Sequence, residues 1–437
     1  LDWPSIVTEL PPGLAAALDD AELELLDEEE LELELDDDDP DADLSPDEQP
    51  DRPATTIAAP PTATSKLCFT TVLLLSVRSV KINGSSNAVW GAADQGSWDC
   101  AKYFSARLLA TAWRSPAVFA IEVFHRRELS RGGRFADMEL LRTPDERFAD
   151  LPDFPYPPRY CDVADLDGGH LRVAWVEDGP ADADPVLLLH GEPSWSFLYR
   201  RMIPVLVAAG HRVVCPDLVG FGRSDKPTAI ADHTYARHVE WMRAVAFDEL
   251  DLRNVTLVGQ DWGGLIGLRL AAEHPDRFSR IVVANTGLPT GDLPMPDIWW
   301  QFRKAIQGMP QIEVGRFVQS GCRRPMDDAV RAAYDAPFPD DSYCAGPRAM
   351  PGLVPTAPDD PASSANRAAW KTLCDSPTPM LVAFSDGDPI TGAMGPIFQS
   401  QMRGARGVEH PVIHDAGHFL QEDAGEELAE AIVRFLA

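Results

Sequence analysis

The sequence predicts an α/β fold: a mostly parallel sheet with helices on both faces, a helical cap inserted late in the chain, and an N-terminal extension that is largely disordered. Three observations carry this. From residue 138 onward, short wholly apolar runs alternate with helical stretches, as expected of strands covered on both faces. One run, Val255 to Val258, leads into Gly259-Gln260-Asp261-Trp262-Gly263-Gly264 and then an apolar-periodic stretch from Leu265 to Ala272. That order reads as strand, sharp turn and helix. The start of the chain, by contrast, is acidic and then proline-rich, a composition that cannot bury enough apolar surface to fold.

Residues 19–48 are almost entirely Asp, Glu, Leu and Ala, and a Pro-rich stretch follows to Pro61. Residues 1–52 hold 21 acidic side chains against one basic residue, Arg52, so they carry −20 of the formal net charge of −31. Charges this dense repel one another, and a solvated tail is expected. The Glu-Leu alternation over 30–35 offers an alternative, a strand formed on a partner. Residues 62–137 include Trp90, Trp98 and Trp113 but show no sustained period. Residues 1–137 therefore read as an acidic, low-complexity extension without an assigned role. The ordinary globular pattern opens at Met138, a candidate start.

Strands are expected at 186–189, 212–215, 255–258, 281–284, 380–384 and 412–413, with a closing helix over 426–436. The interval 286–373 breaks the rhythm; it is rich in Pro, Trp and helical segments. The organisation is then a core in two parts, 138–285 and 374–437, with the cap at 286–373 between them.

The strongly acidic balance argues against nucleic acid as a partner. Seven cysteines, at 68, 100, 161, 215, 322, 344 and 374, are scattered without Cys-x-x-Cys spacing. That fits reduced thiols in a cytoplasmic protein rather than a disulfide framework or a zinc site. The apolar run Leu67 to Val77 is too short to span a bilayer, so no membrane association is expected.

Asp261 stands at the tip of the predicted turn, in the Gly-x-nucleophile-x-Gly pattern that resembles the elbow of α/β hydrolases, with aspartate where serine is usual. A carboxylate needs no base to activate it and can displace a leaving group from carbon to form an ester. Alone, Asp261 could equally be a helix N-cap. His418, in Asp415-Ala416-Gly417-His418-Phe419 after the last strand, sits where this fold carries its base and could activate water. An acid to orient it should follow the penultimate strand, where Ser385-Asp386-Gly387-Asp388-Pro389 offers two candidates. Asp388, pinned by the following proline, is preferred over Asp386. In His190-Gly191-Glu192-Pro193, the Glu192 N–H should join that of Trp262 at the Asp261 carboxyl, with the Glu192 side chain facing the same cavity. The alternative for Glu192 is an acid on a surface loop.

Taken together, the segments 190–196, 217–227, 260–263 and 415–419 resemble the haloalkane dehalogenases, and the string Ala333 to Asp340 looks like that family's cap. The resemblance covers about two thirds of the chain. It implies an α/β-hydrolase fold and a two-step reaction: Asp261 displaces halide to form an alkyl-enzyme ester, and water activated by His418 releases an alcohol. The implied partners are a small haloalkane, water and a halide ion, with no cofactor or metal. It further implies two halide donors. Trp262 matches the first, and the second is Trp300 or Trp299, with Trp300 preferred by position. The segment Asn285-Thr286-Gly287 lacks an acid, which favours the branch of the family with its acid after the penultimate strand, at Asp388. An epoxide hydrolase is the nearest alternative. It would need cap tyrosines as proton donors, and Tyr334 and Tyr343 are available. A fluoroacetate-type enzyme is disfavoured because Arg269 stands alone after Asp261. A non-catalytic interaction protein, recruiting a basic partner through the tail, is the alternative from a different class.

Overall fold

A computed structural model describes residues 138–437; the expectations for residues 1–137, and Cys68 and Cys100 with them, lie outside the described residues. Eleven strands and ten helices alternate there. The strands are β1 (Leu140–Leu141), β2 (Arg159–Ala164), β3 (His170–Asp178), β4 (Pro185–Leu189), β5 (Arg212–Pro216), β6 (Lys226–Pro227), β7 (Val255–Gln260), β8 (Phe278–Ala284), β9 (Met380–Val382), β10 (Phe384–Ser385) and β11 (Val412–Ile413).

The main sheet has the order β2-β3-β5-β4-β7-β8-β9. Pairing is parallel from β5 through β4, β7 and β8 to β9. It is antiparallel for β2 with β3 and for β3 with β5. The Ala383 N–H donates to Val283 O at 2.9 Å, which carries the ninth strand on to β10, and β10 pairs in parallel with β11. The inner strands β4 and β7 are buried at every residue, which is why the apolar runs alone reveal them. The sequence reading misses the β2–β3 hairpin. Its outer strand is mostly exposed and therefore lacks a continuous apolar run.

The helices are α1 (Ile203–Ala208), α2 (Tyr235–Arg243), α3 (Trp262–Glu273), α4 (Asp297–Gly308), α5 (Val314–Ser320), α6 (Asp328–Asp335), α7 (Ala345–Leu353), α8 (Ser363–Asp375), α9 (Met394–Gln401) and α10 (Leu420–Leu436). Helix α3 is buried from Trp262 to Ala272, so it lies pressed between the sheet and its neighbours. Helix α10 begins earlier than the expected residue 426, with non-helical backbone at Ala424. Helices α4 to α8 intervene between β8 and β9.

One buried polar cluster ties this intervening segment to the rest. Arg200 holds Glu422 through two hydrogen bonds of 2.6 Å, and the Tyr334 hydroxyl on α6 donates to Glu422 Oε2 at 2.7 Å. All three side chains are buried. A buried charge needs such complete pairing, because leaving either partner alone is costly. Among the described residues, no helix is long and apolar enough to cross a membrane.

Candidate active site

Asp261 is the single residue between the end of β7 and the start of α3. Its backbone, at φ 48° and ψ −126°, is one that side-chain-bearing residues rarely adopt, so the turn is strained. Neighbouring groups hold it there. The Asp261 N–H donates to Asn285 O at 3.0 Å, and its carbonyl accepts from Gly264 N–H at 2.9 Å and Thr286 Oγ1 at 2.7 Å. Glycine is required opposite the tip: a Cβ on Gly191 would collide with the Asp261 carboxylate.

That close approach lets the Glu192 N–H donate to Asp261 Oδ1 at 2.8 Å. Of the two backbone donors expected at this carboxylate, Glu192 makes the contact, whereas the Trp262 N–H opens helix α3. The loop is braced by His190. The Leu218 N–H donates to its Nε2 at 2.9 Å, so Nδ1 carries the proton and donates to Gly191 O at 3.0 Å. The Glu192 side chain is 4% exposed and its Oε1 has no partner among the described residues. It is therefore not a surface acid. Burial, and then the charge of Asp261, push its pKa well above the ordinary value, while the charge of His418 pulls the other way.

His418 Nδ1 lies 3.1 Å from Asp388 Oδ2, and Nε2 lies 3.5 Å from Asp261 Oδ2. Asp386 is elsewhere, paired with His414 Nδ1 at 3.0 Å near the surface. Of the two candidate acids, then, it is Asp388 that meets the imidazole. Its carboxylate also accepts from Ile390 N–H at 2.9 Å and from the Thr391 hydroxyl. Burial disfavours the Asp388 charge, but His418 and these donors outweigh it and hold its pKa below the usual value. Burial likewise opposes a charge on His418. The charge of Asp388, the close approach of the Asp261 carboxylate and the hydrogen bond to Asp388 together outweigh it and raise the imidazole to about 10.

Trp262 is buried with its ring 5.0 Å from that of Tyr235, and its indole N–H donates to no protein acceptor among the described residues. Trp299 and Trp300 meet edge to face at 4.9 Å. Their burial differs sharply: Trp299 is 4% exposed and Trp300 is 44% exposed. Successive helical residues point about 100° apart, so α4 turns one indole inward and the other to solvent. Trp300, the one preferred by position, is thus the exposed member of the pair. Of the two cap tyrosines, Tyr334 has its hydroxyl committed to Glu422.

Three contributors escape the sequence reading. The Asn285 side chain donates to Ser385 Oγ at 2.8 Å, Gly417 O at 2.9 Å and His418 O at 3.1 Å, and accepts from Ser385 N–H at 2.9 Å. It thus joins the segments that carry Asp261, Asp388 and His418. Asp423 accepts from the N–H groups of Gly417 at 2.8 Å, Arg323 at 2.9 Å and Arg324 at 2.8 Å, tying the histidine loop to the segment after α5. Gln260 touches both the ring and the carbonyl of His418. In the sequence, Asn285 stands out only for not being an acid. The other two carry no local signal, since Gln260 adjoins Asp261 and Asp423 follows Gln421 and Glu422.

A family model described as the α/β hydrolase fold matches residues 184–336. A haloalkane dehalogenase of Psychrobacter cryohalolentis is 54% identical over 299 residues, which cover 68% of this chain and 98% of the relative. One from Mycobacterium marinum is 52% identical over 296 residues, covering 68% of this chain and 99% of the relative. Among solved structures, the haloalkane dehalogenase of Paraglaciecola agarilytica, described as a tetramer, aligns with a TM-score of 0.63 and 37% identity, covering 67% of this chain and 97% of that one. With more than half of the aligned residues shared over nearly the whole length of such relatives, the chain belongs to the haloalkane dehalogenases.

Proposed function

We propose that this protein hydrolyses carbon–halogen bonds of haloalkanes by way of an ester on Asp261. The carboxylate attacks the carbon that bears the halogen, the carbon–halogen bond breaks, and halide leaves with the bonding pair. Water then attacks the carbonyl carbon of the ester as His418 takes its proton, and the alcohol departs with the oxygen that had belonged to Asp261. Asp388 orients the imidazole and balances its charge. The Glu192 N–H stabilises the oxyanion formed in the second step, and the Glu192 carboxyl helps place the water. No metal or cofactor is assigned a step.

The observation that carries this reading is the placement of three side chains from distant parts of the chain: Asp261 at a strained turn, with His418 between it and Asp388. The charges explain the order of events. Part of what raises the His418 pKa is the negative Asp261 beside it. Esterification removes that charge, so the imidazole becomes a better-matched base for water when one is needed.

For the halide, we assign the Trp262 and Trp299 indole N–H groups as donors, with Trp300 outside the site. The support is the buried position of both and the exposure of Trp300. Commitment of Tyr334 to Glu422 removes one proton donor that epoxide opening would use. We assign residues 138–285 and 374–437 to the catalytic core, 286–373 to a cap and 1–137 to an extension without a catalytic part. The five described cysteines are free thiols, in keeping with a cytoplasmic site of action. A single turnover in oxygen-18 water tests the route. The label belongs on the peptide that contains Asp261, and its appearance in the alcohol alone would mean direct attack of water on the substrate.

A further inference from the structure

We propose that Gln260 is a positioning residue for His418: its side-chain amide holds the histidine by backbone and ring at once, so that Nε2 presents a lone pair rather than a proton to the reaction. The inference rests on the role given to His418 above.

Gln260 ends β7 and is fully buried beside Asp261. Its Nε2 lies 3.3 Å from His418 O and 3.2 Å from His418 Nε2. A carbonyl oxygen can only accept, so the end of the amide that faces it is the NH2 group. When the ring is neutral, as the second step requires, the same nitrogen donates to its Nε2, and a ring nitrogen that accepts carries no proton. The remaining ring proton then belongs on Nδ1, directed at Asp388. Asn285 Nδ2 donates to the same His418 carbonyl at 3.1 Å. That contact leaves the ring untouched, so the influence on Nε2 belongs to Gln260.

The groups that face His418 pull in opposite directions. Asp261 from the turn after β7 and Asp388 from the segment after β10 both favour a proton on the ring. Glu192, from the loop after β4, does so only to the extent that it is charged. The Gln260 N–H opposes all three, because a protonated Nε2 would set two donors against each other. Once Asp261 is an ester, one opposing charge is gone and the amide helps keep the ring a base. Its Oε1 is buried without a partner among the described residues. An apolar side chain would avoid that cost, and a cost retained at a site calls for a functional return.

Rapid-quench kinetics on the full chain with a short bromoalkane, comparing parent, Gln260→Leu and the near-isosteric Gln260→Glu across pH, tests this. In both variants the halide burst persists, alcohol formation slows about tenfold at neutral pH, and the acid limb of that second step moves to higher pH by about one unit. The charge in Gln260→Glu moves the limb further than Gln260→Leu does. In Gln260→Leu, which adds no charge, a merely structural role would lower amplitude or thermal stability and leave the limb in place, and an unmoved limb in folded Gln260→Leu overturns the proposal, as does one in folded Gln260→Glu. Failure of the underlying reading looks different: the parent itself would release no halide.

Discussion

His418 Nε2 stands 3.5 Å from Asp261 Oδ2, longer than an ordinary hydrogen bond. A serine nucleophile would need a tighter contact, since its proton must pass to the histidine. A carboxylate has no proton to give. The histidine can therefore be set back, where its target is a water arriving at the ester.

From this division of labour, Asp261→Asn should abolish turnover, because a neutral amide is a poor nucleophile. Halide and alcohol release should both fall by at least about a thousandfold, with deamidation excluded by mass. Sustained turnover by the Asp261→Asn protein with its amide intact would remove Asp261 from its role.

Replacing His418 with Phe should leave the first step and stop the second. Mass spectrometry should then find the Asp261 peptide heavier by the alkyl group. Stoichiometric halide release with no adduct on that peptide would contradict the separation of the two steps.

The two indoles of α4 should differ. Loss of a hydrogen bond to an ion costs roughly 1.5–3 kcal/mol, so Trp299→Phe should weaken halide binding about tenfold or more, whereas Trp300→Phe should change it little. Fluorescence titration with bromide reads this directly, and the opposite order would return the second donor to Trp300.

The charge of Asp261 should be visible at His418. With that charge present the imidazole titrates at about 10. Asp261→Asn removes it, so the His418 midpoint followed by ring NMR should fall. An unchanged or higher midpoint would show that Asp388 alone governs the ring.

Stability should depend on the Arg200–Glu422 pair. Removing one partner of a buried pair costs about 3–5 kcal/mol, so Glu422→Gln should lower the thermal midpoint by several degrees. Burial works against the Glu422 charge, but Arg200 outweighs it and its folded pKa lies below the ordinary 4.5. Its contribution is therefore complete above that value and lost as pH falls through the depressed one. The stability difference between parent and variant should shrink in acid. A constant difference down to the acid transition would assign the effect to packing.

What can be read from the chain follows physical range. The inner parallel strands β4 and β7 announce themselves because they are buried on both faces, and the turn at Asp261 because its glycines and flanking pattern are local. His418 and Asp388 are found through their order relative to those strands. The β2–β3 hairpin is lost because its exposed outer strand carries no apolar run. Asn285, Asp423 and Gln260 act through contacts between residues far apart in the chain, the longest of Asn285 spanning 133 positions, and spacing gives no sign of them. The order of Trp299 and Trp300 depends on the rotation of α4 about its axis, which two adjacent tryptophans leave open.

The most direct test of dehalogenation is halide release from a short bromoalkane by the full chain, with Asp261→Ala as the control. Bromide and alcohol should appear in equal amounts with the parent and vanish with the variant. A folded parent that releases no bromide, or a variant that releases it as fast as the parent, would contradict hydrolysis through Asp261.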